Sequence, residues 1–313
     1  MLGNGGGEVK IGYPCINRGI GCSANRTFRL ASYSDERLLS TVRGNLECLE
    51  RILSFNRASG LLFFRITSDL VPFASHPVCR ADWQAELRPL FARAGELARR
   101  GDDRISMHPD QFVLINSPDR GLVERSVGEL SYHAAVLDLL GLDATAKIQI
   151  HVGGVYGDRE GSRFQFSRAY GDLPEPVIRR LVVENDDRRF TIRDCLEIHR
   201  ETGIPVVYDH FHHRCHGNTG EIRGILEEVA GTWAARDGIP MADYSSQEPG
   251  RRTGNHATAL DPDDFRQFLS ASTPHDMDVM LEIKDKERSA LAAAAIARSD
   301  PRFIHGPPRS PKT

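Results

Sequence analysis

Lysine is almost missing from this chain. It occurs only at positions 10, 147, 284, 286 and 312, so 35 of the 40 basic residues are arginine. Against them stand 43 acidic residues, and the formal net charge is −3. That balance excludes a histone-like or wholly basic nucleic-acid binder, though not a localised basic surface. Arginine grips phosphate through its planar fork, but a general preference for arginine over lysine is the simpler account of this composition. Close cysteine pairs are also missing. The six cysteines lie at 15, 22, 48, 79, 195 and 215, with no CxxC, and 313 residues is the wrong length for a disulfide scaffold. Cys15 and Cys215 read as small packing residues, because nothing specific pairs either with a base. No apolar run reaches the ~18 residues of a membrane span. The opening MLGNGGGEVK has no apolar secretory core, which makes the cytoplasm the expected location. The first apolar run is followed by PCINRGIGCSANRTFRL, without a GxGxxG turn, so no nucleotide cofactor is expected.

What is present is a regular alternation. Eight short apolar, β-branched runs occur: VKIGY (9–13), LLFFRIT (61–67), RISMH (104–108), KIQIHV (147–152), LVVEN (181–185), PVVYDH (205–210), GIPMADYS (238–245) and VMLEIK (279–284). Their starts are roughly 38 residues apart, close to the βα repeat of a barrel with loop insertions. Between them lie stretches whose apolar residues recur every three and four positions, as at 34–56, 83–100 and 121–142. Ser34-Asp35-Glu36 caps the first, and Gly101 is expected to close the second. With no low-complexity linker and no second compositional regime, the prediction is a single (β/α)8 TIM barrel over 9–300. Residues 1–8 are expected to be a flexible N-terminus and 301–313 a disordered tail.

Polar residues at the ends of these runs carry the functional information. In a barrel the C-terminal strand ends converge on one mouth. His108, His151, Glu184, Asp209, His212, Asp243, His256 and Glu282 would then line one pocket. A single histidine at a strand end is usually a hydrogen-bonded structural residue. A glutamate within an apolar strand is harder to dismiss, because a buried carboxylate needs a cation or a metal beside it. Four histidines and four carboxylates at successive strand ends point to divalent metal. Imidazole plus carboxylate without thiolate suits manganese, zinc or iron. Eight candidate ligands exceed the needs of one ion, so two or three ions bridged by shared carboxylates are expected. Metals about 4 Å apart stabilise the entering and leaving oxygens of a phosphoryl displacement, and one acidifies a bound water.

Several of these segments together resemble the UV damage endonuclease family. They are Gly12-Tyr13-Pro14-Cys15 with Asn17, Pro72-Phe73-Ala74-Ser75-His76, Ser106-Met107-His108-Pro109-Asp110-Gln111-Phe112, and His151-Val152-Gly153-Gly154. Glu184-Asn185-Asp186, the Asp209-x-x-His212 step and Leu281-Glu282-Ile283-Lys284-Asp285-Lys286-Glu287 complete the set. The resemblance spans about residues 9–290. It implies a TIM barrel related to endonuclease IV, and a metal-dependent cut of duplex DNA immediately 5′ to a UV photoproduct. The products would be a 3′-hydroxyl and a 5′-phosphate. It further implies manganese, up to three ions, a monomer, and UV-damaged double-stranded DNA as partner, with no membrane. By motif, His108 and His151 would hold the first ion and Glu184 would bridge it to a second. Asp209 and Glu282 would serve the second site, and His212 and His256 the third. Glu184, His108 and Glu282 are the expected catalytic residues.

The resemblance also implies that the damaged pair leaves the stack, with a Gln-Tyr wedge filling the gap. Here the wedge positions read Gln111 and Phe112, assisted by Tyr13, Asn17 and His76. Phe112 can stack on a base but has no hydroxyl to donate. Arg18, Arg26 and Arg29, in the loop after the first run, are candidate phosphate contacts. A second departure lies in the seventh run. The family usually has Lys-x-His there, whereas this chain has Met241-Ala242-Asp243. Asp243 is expected to replace the histidine as a harder, anionic ligand. Three other readings compete. One is an apurinic-site endonuclease without photoproduct preference. Another is a metal-dependent sugar isomerase or epimerase. The third is a degraded paralogue that binds damaged DNA without cutting.

Overall fold

The computed structural model describes residues 8–218, 220 and 222–304. Its eight strands are β1 (Ile11–Pro14), β2 (Phe63–Ile66), β3 (Arg104–Met107), β4 (Lys147–His151), β5 (Leu181–Glu184), β6 (Val206–Asp209), β7 (Met241–Tyr244) and β8 (Asp278–Leu281). Each pairs in parallel with its sequence neighbours, and β8 pairs with β1 to close a barrel in the order β1 to β8. All eight apolar runs are therefore strands of one sheet. The helices are α1 (Asp35–Ser59), α2 (Trp83–Gly101), α3 (Arg120–Leu139), α4 (Arg159–Gly171), α5 (Glu175–Ile178), α6 (Ile192–Thr202), α7 (His210–Cys215), α8 (Arg223–Ala230), α9 (Pro262–Ala271) and α10 (Glu287–Ala297).

The caps follow local chemistry. Ser34 Oγ accepts from Arg37 N at 3.1 Å and starts α1. Gly101 does not close α2; it is the last helical residue, and Asp102 takes the left-handed cap at φ 55°. Asp102 is held there by Lys10, whose Nζ reaches its carbonyl at 2.9 Å and its Oδ2 at 2.8 Å.

Side chains alternate across each strand, so residues two apart share a face. The barrel interior is consequently stratified. At the N-terminal end Lys147 pairs with Asp237 at 2.6 Å, and Arg104 sits 3.5 Å from Asp278 and over the Trp233 ring. Above this ionic plug, Phe63, Val182, Val207, Met241 and Met280 form a separate apolar floor. Two residues further along the same strands come Arg65, Glu184, Asp209, Asp243 and Glu282. The floor isolates the two polar layers from each other. The remaining core lies between the barrel wall and the helices.

Two expectations need correcting. Residues 301–304 are held rather than loose. Phe303 bridges Val9 in parallel, and the Arg302 guanidinium binds Leu269 O, His275 O and Asp300, which satisfies it in a buried position. Residues 1–7 and 305–313 of the two expected terminal segments lie outside the described residues. Cys22 and Cys48 form a disulfide, with Cα atoms 5.9 Å apart. Spacing alone did not suggest it, because the partners meet only when the loop after β1 folds back on α1. That loop is fastened by Asn45, which accepts from Arg26 N and donates to Arg26 O, both at 3.0 Å. Among the described residues no helix is long and apolar enough to cross a membrane.

Two buried histidines make stability pH-dependent. Burial pushes His133 down to about 4, despite its Nδ1 donating to Glu129 O at 2.8 Å. Burial likewise pushes His210 down to about 4. Each is neutral when folded yet gains a proton near 6.5 when unfolded. Stability is therefore complete above ~6.5, falls as pH drops from there to about 4, and then levels. At ~1.4 kcal/mol per unit, His133 alone accounts for about 2 kcal/mol of the loss between pH 6.5 and 5. Urea unfolding of wild type and His133→Gln at both pH values should show that component disappearing in the variant. An unchanged pH dependence would refute it.

Candidate metal centre

The histidines of the mouth come from segments at the C-terminal ends of the strands. His108 follows β3 directly, His151 ends β4, and His256 lies on the loop between β7 and α9. His212 sits in the first turn of α7, which Asp209 starts by accepting from His212 N at 2.6 Å. Helical periodicity turns only His212 toward the mouth. His210 instead stacks on Tyr244 and His213 packs against Tyr208. Three of the four site imidazoles are oriented in one way. Nδ1 of His108 bonds Pro109 O at 2.7 Å, that of His212 bonds Asn185 O at 3.0 Å, and that of His256 bonds Glu282 O at 2.8 Å. A backbone carbonyl thus fixes one ring nitrogen and leaves Nε2 for the cavity, the usual arrangement of a metal-ligating histidine. Nδ1 of His151 is buried and has no hydrogen-bond partner. The rings form an arc: His108–His151, His151–His212 and His212–His256 have centroids 5.3, 5.7 and 5.9 Å apart.

Carboxylates close this arc from below. Glu184 Oε1 lies 2.6 Å from His108 Nε2 and 3.2 Å from His151 Nε2. Asp209 Oδ2 lies 3.2 Å from His212 Nδ1. Ligand-type atoms gather in three groups, each within 4.8 Å: His108–His151–Glu184, Glu184–Asp209–His212 and Asp209–Asp243–Glu282. The donor set and the carbonyl-fixed imidazoles fit divalent ions in the first two groups. The electrostatics agree. Burial opposes ionisation of Glu184, yet His151 and His108 hold its carboxyl well below the usual range. Burial pushes Asp209 well up despite His212, and pushes Asp243 up to about 7 against the pull of Arg65. The mouth carries more buried carboxylate than its own cations neutralise.

Sequence reasoning passed over two residues that organise the site. Arg65, 2% exposed, points into the barrel from β2. Its Nη2 reaches both oxygens of Asp243 at 2.9 Å and Gln149 Oε1 at 2.9 Å, and its Nη1 binds Glu282 Oε1. Gln149 Nε2 in turn contacts Glu184 Oε2 and Asp243 Oδ2, both at 2.6 Å. Strands β2, β4 and β7 are not neighbours, so these side chains can meet only across the barrel interior. Inward parity was the available signal, since Arg65 follows Phe63 on the same face. Lys284, the cation nearest to Glu282 in sequence, makes no ion pair with it among the described residues.

The mouth opens into a cavity of about 440 Å³, lined by His108, His151, Glu184, His212, His256 and Glu282 among others. Arg188 and Arg189 line it too. Asp186 presents them by accepting from Arg188 N at 2.8 Å and Arg189 N at 2.5 Å. Gly153 lines the same wall at φ 114°, where an added Cβ would lie 2.4 Å from Asn116 Oδ1. A side chain there is excluded by space and by backbone conformation. A second cavity, of about 580 Å³, adjoins the first, and His108 lines both. Gln111 faces the first cavity and Phe112 the second. Phe112 is 68% exposed and so is no core aromatic. His76 is exposed on the loop after β2.

Tyr13 and Asn17 do not belong to this rim. Tyr13 is fully buried and points outward from β1 against α1. Its hydroxyl donates to Asn56 Oδ1 at 2.6 Å and accepts from Asn17 Nδ2 at 2.8 Å. Asn17 is buried as well, and its Oδ1 accepts from Gly19 N at 2.8 Å. A wedge that includes these two would have to break that network, unlike the exposed Gln111 and Phe112.

A closed (β/α)8 barrel with imidazoles and carboxylates gathered at its C-terminal mouth defines a class of barrel enzymes. Within that class the chain belongs to the UV-endonuclease UvdE family, which it matches over residues 9–298. It is 34% identical over 285 residues to the UV DNA damage endonuclease of Clostridium perfringens (strain 13 / Type A), covering 90% of this chain and 69% of that one. The crystal structure of SacUVDE matches with a TM-score of 0.89 at 41% identity, covering 93% of this chain and 98% of that one. Endonuclease IV from Thermus thermophilus shares the fold at a TM-score of 0.55 and 16% identity, covering 93% and 98% of the two chains.

Proposed function

We propose that this chain is a DNA-repair endonuclease that incises duplex DNA immediately 5′ to UV photoproducts, leaving a 3′-hydroxyl and a 5′-phosphate. The observation that carries this reading is the meeting of the metal-type mouth with an exposed Gln111–Phe112 ridge between two cavities. Divalent ions, manganese by expectation, would supply Lewis acidity and an acidified water for phosphodiester hydrolysis. His108, His151 and Glu184 would hold one ion, with Asp209 and His212 contributing to a second through the shared Glu184. Arg188 and Arg189 supply positive charge where the DNA backbone enters. The damaged dinucleotide leaves the helix, while Gln111 and Phe112 fill the space and stack on the remaining bases. A damaged pair costs less to unstack, which favours lesions over intact sequence.

The test is a gel cleavage assay on a duplex with a single thymine dimer, with manganese-refilled protein and abasic and undamaged duplexes alongside. A cut directly 5′ to the dimer is expected. Phe112→Ala should weaken dimer-duplex binding by roughly 5- to 150-fold, the loss of about one stacked base. Cleavage of the abasic duplex alone would instead assign the chain as an apurinic-site endonuclease.

A further inference from the structure

Of the three ligand groups in the mouth, Asp209–Asp243–Glu282 differs from the others: it already contains a cation. The Arg65 guanidinium lies between its members, with Nη2 at 2.9 Å from both Asp243 oxygens and Nη1 on Glu282 Oε1. Asp243 Oδ2 also accepts from Gln149 at 2.6 Å. Asp243 has no exposed surface and does not line the cavity. Glu282 does line it, and its Oε2 faces His256 Nε2 at 3.9 Å. Among the described residues the Asp209 carboxylate is engaged by the His212 amide and imidazole, neither a permanent charge.

We propose that Arg65 is the built-in cation of this third group, that Asp243 is its counter-ion rather than a metal ligand, and that, with His256 in none of the three groups and so no third ion on His212 and His256, the mouth takes two divalent ions. The inference rests on the metal reading above. Its physical basis is charge. A guanidinium cannot be deprotonated in a protein, and it would repel a dication seated on the same carboxylate. A carboxylate gripped on both oxygens by a planar donor also presents little free lone pair toward a metal. Four ionised carboxylates and one arginine sum to −3, so two dications leave the mouth near neutrality at +1, whereas three leave it at +3. Met241 fits the same account: it lies in the apolar floor with Phe63 and Met280, and so offers no ligand from below.

The full chain would be stripped, refilled with manganese(II), desalted, and its metal content per chain read by elemental analysis and native mass spectrometry. Two ions are expected in wild type and two in Asp243→Asn, with apparent affinities within about threefold. Asp243→Asn removes the charge while keeping an oxygen for Arg65. The paired variant Arg65→Met with Asp243→Leu removes both charges together and should also retain two ions, so the outcome does not depend on one variant folding. One or three ions in wild type, loss of an ion in Asp243→Asn, or the 10- to 100-fold affinity loss typical of disturbed metal sites would overturn the proposal. No manganese in wild type would overturn the metal reading itself and this inference with it.

Discussion

Glu184→Gln should reduce incision of a dimer-containing duplex by about 10³-fold or more, with little change in fold. Glu184 is shared by two ligand groups, and both of its oxygens are committed: Oε1 to His108 and His151, Oε2 to Gln149. The amide is nearly isosteric, so packing above the apolar floor survives. What disappears is the negative charge shared by the two ligand groups that would hold the ions. Loss of a single preorganised electrostatic partner already costs 10²–10³ in rate, and here two cation positions depend on the same group. Manganese affinity should fall by at least 10- to 100-fold in parallel. Wild-type incision by a protein that no longer retains manganese would separate the chemistry from the metal, and would refute the role given to Glu184.

Arg65→Ala should be the most destabilising single change in the barrel interior. In metal-free protein it leaves Asp243 and Glu282 facing each other without a counter-ion, in a layer closed below by Phe63, Val182 and Met280. Breaking a buried pair by removing one partner costs about 3–5 kcal/mol, because the remaining charge has neither water nor a partner. Here Asp243 is stranded without water, and Glu282 keeps only the cavity and His256. Their titration should change with it. Arg65 holds Glu282 down to about 2 against burial, and it is the principal influence opposing the burial that lifts Asp243 to about 7. Without it both shift upward and the site takes up protons near neutral pH. Urea unfolding of wild type, Arg65→Ala and Arg65→Lys at one pH reads the effect. The lysine variant should recover only part of the loss, because a point charge cannot span Asp243, Gln149 and Glu282 at once. Equal stability of Arg65→Ala and wild type would show that the triad needs no internal cation.

Both effects are tied to how the barrel assembles its layers. The polar strand ends were legible in the sequence because each follows an apolar run at a spacing of two: Val182 then Glu184, Val207 then Asp209, Met280 then Glu282. Such a pattern announces a buried carboxylate whatever the fold. The barrel was legible for a related reason. Eight parallel strands, buried along nearly their whole length, need helices on the outside, and the amphipathic stretches supply them.

Other features depended on direction and closure. Tyr13 lies in a motif suggestive of lesion contact, but strand parity turns it outward, and Asn56, 43 residues away, fixes its hydroxyl. Phe112 has the composition of a core residue, yet the loop after β3 leaves it on the surface. Cys22 and Cys48 become partners only through the fold-back of one loop.

The sequence by itself determined the barrel, its mouth and the histidine and carboxylate inventory of that mouth, because these follow from local periodicity and from the high cost of burying charge. Only the tertiary structure decided which charges neutralise one another. Arg65 meets Asp243 across 178 positions and Glu282 across 217, and no local pattern encodes either contact. They arise because closing the sheet brings the inward faces of β2, β7 and β8 to one axis, where Arg65 and the fully buried Asp243 have no water and must satisfy each other, with Glu282 at the cavity edge.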